Sequence, residues 1–226
     1  MTRPDPGPHP VSRAHGSTDM TPDDTGPLTL LVTAHPDPDS LTHHVADRLA
    51  AALRPRAVEV ADLHREGFDP RFTPADRRHY REGGTHPPDV AREHRRLDRA
   101  TDLVLVFPVY WWSVPALLKG WIDRVFVNGW AFEHSADTGL RPRLQRLTTH
   151  LLPIAADDAG SFERHGYDRA LRTQLEHGLV DYIGSRRGAT AFIHESEQPS
   201  AEATAASVAR AVHAVSEAVR AGAPTA

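Results

Sequence analysis

Five short apolar runs separated by stretches of helical spacing constrain this chain more than any other feature. Residues 28–34 (LTLLVTA), 57–61, 102–107 (DLVLVF), 147–156 and 188–194 are short, apolar and bounded by turns. Each reads as a strand, 28–34 as a buried one and 102–107 as the most buried-looking. Between them, residues 40–53 carry apolar side chains at 41, 45, 49, 52 and 53. Residues 89–100 read as a charged helix with Val90, Ala91 and Leu97 inward. Another helix starts with Pro115 at its first position and runs to about residue 126. Residues 162–183 read as helical, and 199–220 as an alanine-rich closing helix. Strands alternating with helices imply a parallel sheet covered on both faces.

Two stretches stand outside that pattern. Residues 62–88 hold four prolines and three glycines and read as a long loop with one helical turn. Residues 1–27 hold six prolines and no apolar run. They read as a disordered tail without an export signal. One α/β domain then spans 28–222. The apolar stretch 103–118 is too short to cross a membrane and is interrupted by Pro108 and Pro115. A cytoplasmic protein without membrane insertion is expected.

Composition removes several functions. The 226 residues carry a formal net charge of -4, which disfavours a nucleic-acid partner. The absence of cysteine excludes disulfides, thiolate metal sites and a cysteine nucleophile. The 15 histidines are scattered, and no metal-ligand spacing stands out.

Open parallel sheets bind ligands beyond the carboxyl ends of their strands, where the strand order reverses. Two segments leave the strands there. Residues 34–42 (AHPDPDSLT) join the first strand to a helix N-terminus, whose free N–H groups attract a phosphate. The same segment also reads as a proline-rich turn with Asp39 or Ser40 as helix cap. Residues 107–115 (FPVYWWSVP) place three large aromatics on a loop after the central strand. Indole faces stack flat heteroaromatic rings, and loop amides bond their edges.

These segments carry a resemblance. Ala34-His35-Pro36 through Ser40, Asp62-Leu63, Phe68-Asp69-Pro70, the block from Phe107 to Phe126 and Gly129-Trp130-Ala131-Phe132 closely resemble the NAD(P)H dehydrogenase (quinone) family of flavodoxin-like flavoproteins. The resemblance implies a flavodoxin-like, doubly wound, five-stranded parallel sheet of order 2-1-3-4-5. It implies FMN, or alternatively FAD, and hydride transfer from NAD(P)H to a small quinone-like acceptor. His35, Ser40, Leu41, Thr42 and His43 would hold the flavin phosphate. Pro108, Val109, Tyr110, Trp111 and Trp112 would wrap the ring, with Ala156, Asp157 and Asp158 on its other side. Phe132, Glu133 and His134 would line the acceptor pocket across a homodimer interface, and His134 or His165 would supply a proton. The chain departs from the family where Thr42 replaces an asparagine and Ala155-Ala156-Asp157-Asp158 replaces Thr-Thr-Gly-Gly. A tyrosine of some members corresponds to Phe162.

Other readings compete. Ala34-His35-Pro36-Asp37 resembles the start of zinc-dependent deacetylases, but Pro38 stands where a second aspartate belongs. Some members of the same family are regulatory subunits of potassium-efflux transporters. The zinc reading also leaves the aromatic block unexplained, and a one-electron flavodoxin-type carrier is disfavoured because such proteins need no substrate pocket.

Overall fold

The computed structural model describes residues 26–137, 139–197 and 200–222. All but the last two residues of the proline-rich tail lie outside them. The central strand, β3 (Ala100–Pro108), is the longest, and eight of its nine residues are buried. It pairs with β1 (Leu28–Thr33) on one side and β6 (Thr148–Ile154) on the other. Strands β2 (Ala57–Asp62) and β7 (Arg186–Thr190) form the edges. The sheet is parallel throughout, in the order β2-β1-β3-β6-β7. That is the expected 2-1-3-4-5 once the intervening hairpin is set aside.

Alternate side chains of each strand feed two cores, as a period of two requires. Leu30, Val32, Leu103, Leu105, Phe107 and Leu151 face one side. They meet α3 (Pro88–Arg99) and α4 (Ala116–Val125). Leu31, Val104, Val106, Leu152 and Ile154 face the other, against α1 (Leu41–Ala52) and α7 (Ala201–Ala221).

Segment 62–88 is not the loop that its glycines and prolines suggested. It contains α2 (Pro74–Glu82), set by a reciprocal capping box between Thr73 and Asp76. Asp76 is its only buried residue, so no apolar periodicity announces the helix. The segment is tied down electrostatically: Arg124 of α4 donates to Asp76, Asp89 and the carbonyl of Asp69. A Cβ on Gly120 would lie 2.2 Å from the Pro70 carbonyl oxygen, so this close approach requires glycine.

Helix α3 buries more than its apolar residues. Glu93 and His94 are inward beside Val90 and Leu97, whereas Ala91 is only half-buried. Each polar group has a partner. The Trp121 indole N–H donates to Glu93 at 3.1 Å, and His94 Nε2 donates to the Val125 carbonyl at 2.8 Å. His94 also heads a stack of rings, lying 3.9 Å from Trp130 on one face with His86 edge-on at 4.4 Å.

Four boundaries differ from expectation. Pro115 is the cap of α4 rather than its first residue. The stretch 162–183 breaks at Gly166 (φ +69°) into α5 (Ala159–His165) and α6 (Tyr167–Arg172), followed by a π-helical segment, Thr173–Asp181. The last strand stops at Thr190, and only Ile193 beyond it bridges to Ile154. An antiparallel hairpin of β4 (Phe132–Ser135) and β5 (Gly139–Pro142) interrupts the alternation.

Candidate active site

The carboxyl ends of β1, β3 and β6 are adjacent, so the segments leaving them converge on one edge of the sheet. The first leads into α1. Ser40 caps this helix, and the N–H groups of Leu41 and Thr42 open it without intrahelical acceptors. The first turn holds no acidic side chain. Asp37 is turned back on its own loop: its carboxylate accepts the Asp39 N–H at 2.9 Å and its carbonyl the Ser40 N–H at 3.2 Å. The Asp37 charge, which would oppose an anion here, is thus partly held by the turn.

Three residues expected at the phosphate are placed differently. Thr42 is 2% exposed, so it offers its backbone rather than its hydroxyl. His35 Nδ1 accepts the Asp37 N–H at 3.1 Å. His43 bonds Ser40 on one side and Asp62 on the other, at 2.9 and 3.0 Å. The rings of His35 and His43 line a separate cavity of about 1030 Å³ with Asp47, Asp62, His64 and Arg65.

The second segment is a tight turn made of tryptophans. Tyr110 and Ser113 exchange backbone hydrogen bonds of 3.0 and 3.1 Å, and the residues between them, Trp111 and Trp112, have φ of +48° and +60°. Positive φ at both central positions defines a type I′ turn, a conformation that favours glycine and asparagine. For bulky side chains it costs roughly 1–2 kcal/mol per residue. Strain of this kind is retained at sites where the position of a side chain matters. Trp111 projects into solvent, 93% exposed. Trp112 folds back, stacked on Tyr167 with centroids 3.7 Å apart and edge-on to Phe162.

The third segment closes the recess. Val109, Trp111 and Trp112 face Ala155, Ala156, Asp157 and Phe162 across an open-sided cavity of about 400 Å³. Pro108 ends β3 directly beneath, and the Val109 N–H continues the ladder to the Ile154 carbonyl at 2.7 Å. Tyr110 is partly exposed at the rim and does not line the recess. The two aspartates do different things. Asp158 caps α5, accepting the Ser161 N–H at 2.8 Å. Asp157 borders the cavity, where hydrogen bonds from the Ser161 side chain and the Asp158 N–H, with Arg164 and His165 nearby, hold its carboxyl below the usual range. Neither adopts a left-handed conformation, so the backbone does not need the family's glycines.

The residues expected to line the acceptor pocket are not brought to this cavity within one chain. Phe132 is a core residue, 6% exposed and edge-on to Tyr182. Glu133 pairs with Arg143 on the exposed hairpin, and His134 is exposed beside it. His165 is exposed and stacks on Tyr167 at 5.3 Å, outside the cavity lining. Sequence reasoning did not assign Tyr167 or Phe192 to the site. Phe192, edge-on to Phe162, backs the recess. Among the described residues no group of three metal-ligating side chains converges.

A family model for the flavodoxin-like fold matches residues 28–218. An Escherichia coli protein named uncharacterized NAD(P)H oxidoreductase YcaK is 32% identical over 166 residues, 72% of this chain and 81% of its own. The chain belongs to the flavodoxin-like NAD(P)H oxidoreductases. Solved structures extend the likeness of this oxidoreductase at the level of the fold. The NAD(P)H:quinone oxidoreductase of Methanothermobacter marburgensis has a TM-score of 0.76 at 24% identity, over 84% of this chain and 97% of that one. An FMN-dependent NADH-azoreductase of Bacillus anthracis, in complex with FMN, has a TM-score of 0.63 at 14% identity, over 86% and 98%. Among the described residues no helix is long and apolar enough to cross a membrane.

Proposed function

We propose that this oxidoreductase binds FMN and passes hydride equivalents from NAD(P)H to a quinone-like acceptor, as a homodimer. One observation carries the reading. The strained Trp111–Trp112 turn overhangs an apolar recess, one strand away from a helix N-terminus with free N–H groups. The residues present fit a flat ring with a phosphate tail: the recess is walled by Val109, two indoles, two alanines and Phe162, with Asp157 at its border. Among the described residues no additional segment is committed to an adenine, which favours FMN over FAD.

Bound flavin supplies a centre that takes hydride from one substrate and gives it to another. The chain binds, orients and shields that centre. The Leu41 and Thr42 amides and the Ser40 hydroxyl hold the phosphate. Trp111 covers the ring, and Trp112, held by Tyr167, fixes its edge. Asp157 adds a negative charge beside the ring. His165 lies one stacked ring from Trp112 and is the proton donor available within the chain. In the proposed homodimer, the exposed hairpin of a second copy, with Glu133 and His134, would complete the acceptor pocket.

The test is direct. The purified protein should be yellow, release FMN on denaturation and oxidise NAD(P)H with a small quinone, giving parallel double-reciprocal lines. Sedimentation at micromolar concentration should return a dimer. A protein that takes up no flavin in excess FMN overturns the reading, and one that binds flavin but turns over with no acceptor returns it to the regulatory class.

A further inference from the structure

We propose that Ser40, His43 and Asp62 form a proton-linked clamp, in which arrival of a phosphomonoester at the α1 N-terminus is coupled to proton uptake by His43. The proposal rests on the phosphate of FMN lying at this turn, and gives that site a residue pair that never touches the ligand.

Asp62 is 5% exposed at the end of β2, and its carboxylate can only accept. One oxygen faces His43 Nε2 at 3.0 Å, and the other takes the Arg65 N–H at 3.1 Å. Nε2 therefore carries a hydrogen. In the neutral ring Nδ1 is then a lone pair. It lies 2.9 Å from the Ser40 hydroxyl and 2.9 Å from the Asp37 carbonyl. A lone pair can take only the hydroxyl proton, so neutral His43 draws the Ser40 O–H inward, away from the free amides of Leu41 and Thr42. A proton on Nδ1 reverses this. The ring then donates to the Asp37 carbonyl, already in place, and Asp62 balances its charge. The Ser40 hydroxyl becomes free to turn to an anion. Nδ1 thus has a partner in either proton state, the Ser40 hydroxyl when it accepts and the Asp37 carbonyl when it donates, and a phosphate favours the protonated one.

The charged surroundings come from three elements. On α1 itself, Asp47 lines the same cavity as His43. From the β1–α1 turn come the His35 ring, edge-on at 6.3 Å, the Asp37 carboxylate already held by Asp39 N–H, and Asp39 itself. From the β2 end come Asp62, His64 and Arg65, whose Nε is 3.7 Å from Asp62. His44 is exposed, turned about 100° around the helix from His43.

Asp62→Asn gives a sharp test. The Arg65 N–H keeps the oxygen of the new amide, so its NH₂ faces His43 Nε2. That nitrogen must then accept, and Nδ1 carries the proton in the neutral ring. The clamp is released without any added proton.

The experiment is calorimetric titration of the flavin-free full chain with FMN and with riboflavin, in buffers of different ionisation enthalpy. Uptake is read as the difference from His43→Gln, so that protons lost by the phosphate itself cancel. We expect FMN to bind the wild type with net uptake and riboflavin with none. Asp62→Asn should bind FMN within about tenfold of wild type, as one rearranged hydrogen bond implies, but without uptake. Ser40→Ala should lose about tenfold of the preference for FMN over riboflavin. FMN binding with equal proton exchange in all variants overturns the clamp and leaves the flavin assignment standing. Failure of both flavins to bind overturns both.

Discussion

The indole of Trp112 lies parallel to the phenol of Tyr167, with centroids 3.7 Å apart and planes 9° apart. This contact holds the second residue of a strained turn against α6, so the turn and the helix act as one wall. Tyr167→Leu removes the stack and should weaken FMN retention by about 0.5–1.5 kcal/mol, whereas Tyr167→Phe should retain it. Flavin dissociation constants by fluorescence titration decide this. Equal losses in both variants would show that the phenolic hydroxyl, not the ring, matters.

Trp111 and Trp121 should separate binding from stability. Trp121 is fully buried and satisfies Glu93, so Trp121→Ala should cost about 3–5 kcal/mol in urea unfolding. Trp111 is exposed with positive φ, so Trp111→Gly should raise the stability of the flavin-free protein by about 1 kcal/mol while weakening flavin binding. A Trp111→Gly protein that binds flavin normally would remove this residue from the site.

Asp157→Asn should raise the reduction potential of bound flavin, more at low ionic strength, because a charge bordering the recess opposes the anionic reduced ring. Asp158→Ala should leave the potential alone and cost about 1 kcal/mol of stability by uncapping α5. Spectroelectrochemistry in 10 mM and 500 mM salt, roughly 30 Å and under 8 Å of screening length, reads the first effect. An unchanged potential at low salt places the Asp157 charge away from the ring.

Legibility in the sequence followed physical visibility. The three central strands announced themselves because burial on both faces leaves runs such as Leu103–Phe107 with no polar break, whereas the half-exposed edge strands β2 and β7 showed only as short runs between turns. Helix α2 did not, because its start is fixed by Thr73 and Asp76 and its outer surface is polar. Glu93 and His94 looked like solvated positions, since their partners, Trp121 and the Val125 carbonyl, lie 28 and 31 residues away. The aromatic loop was legible as a candidate site from composition. Its left-handed geometry was not, because no glycine or asparagine marks the turn. Tyr167 joined the wall only when Gly166 reversed the chain after α5.

Acid should unfold the protein through His94. Burial pushes its pKa down to about 4, outweighing the hydrogen bond to Val125. Below the ordinary value near 6.5 the unfolded chain takes a proton that the folded chain refuses. Stability therefore falls as pH drops from about 6.5 towards 4, by an order of 3 kcal/mol from this group. The urea midpoint of His94→Gln should be flatter between pH 7 and 5. A parallel decline in wild type and variant would assign acid sensitivity to the carboxylates.

The contrast between Trp111, almost wholly in water, and Trp121, wholly out of it, makes the chain its own optical probe. Indole emission shifts to longer wavelength with hydration, so the two rings report from opposite ends of the spectrum. Among the chain's four tryptophans, a ligand that settles under Trp111 quenches the red edge more than the blue, whereas loosening of the α3–α4 core shifts the blue edge towards the red. Occupancy and integrity can thus be followed in one cuvette, without a label.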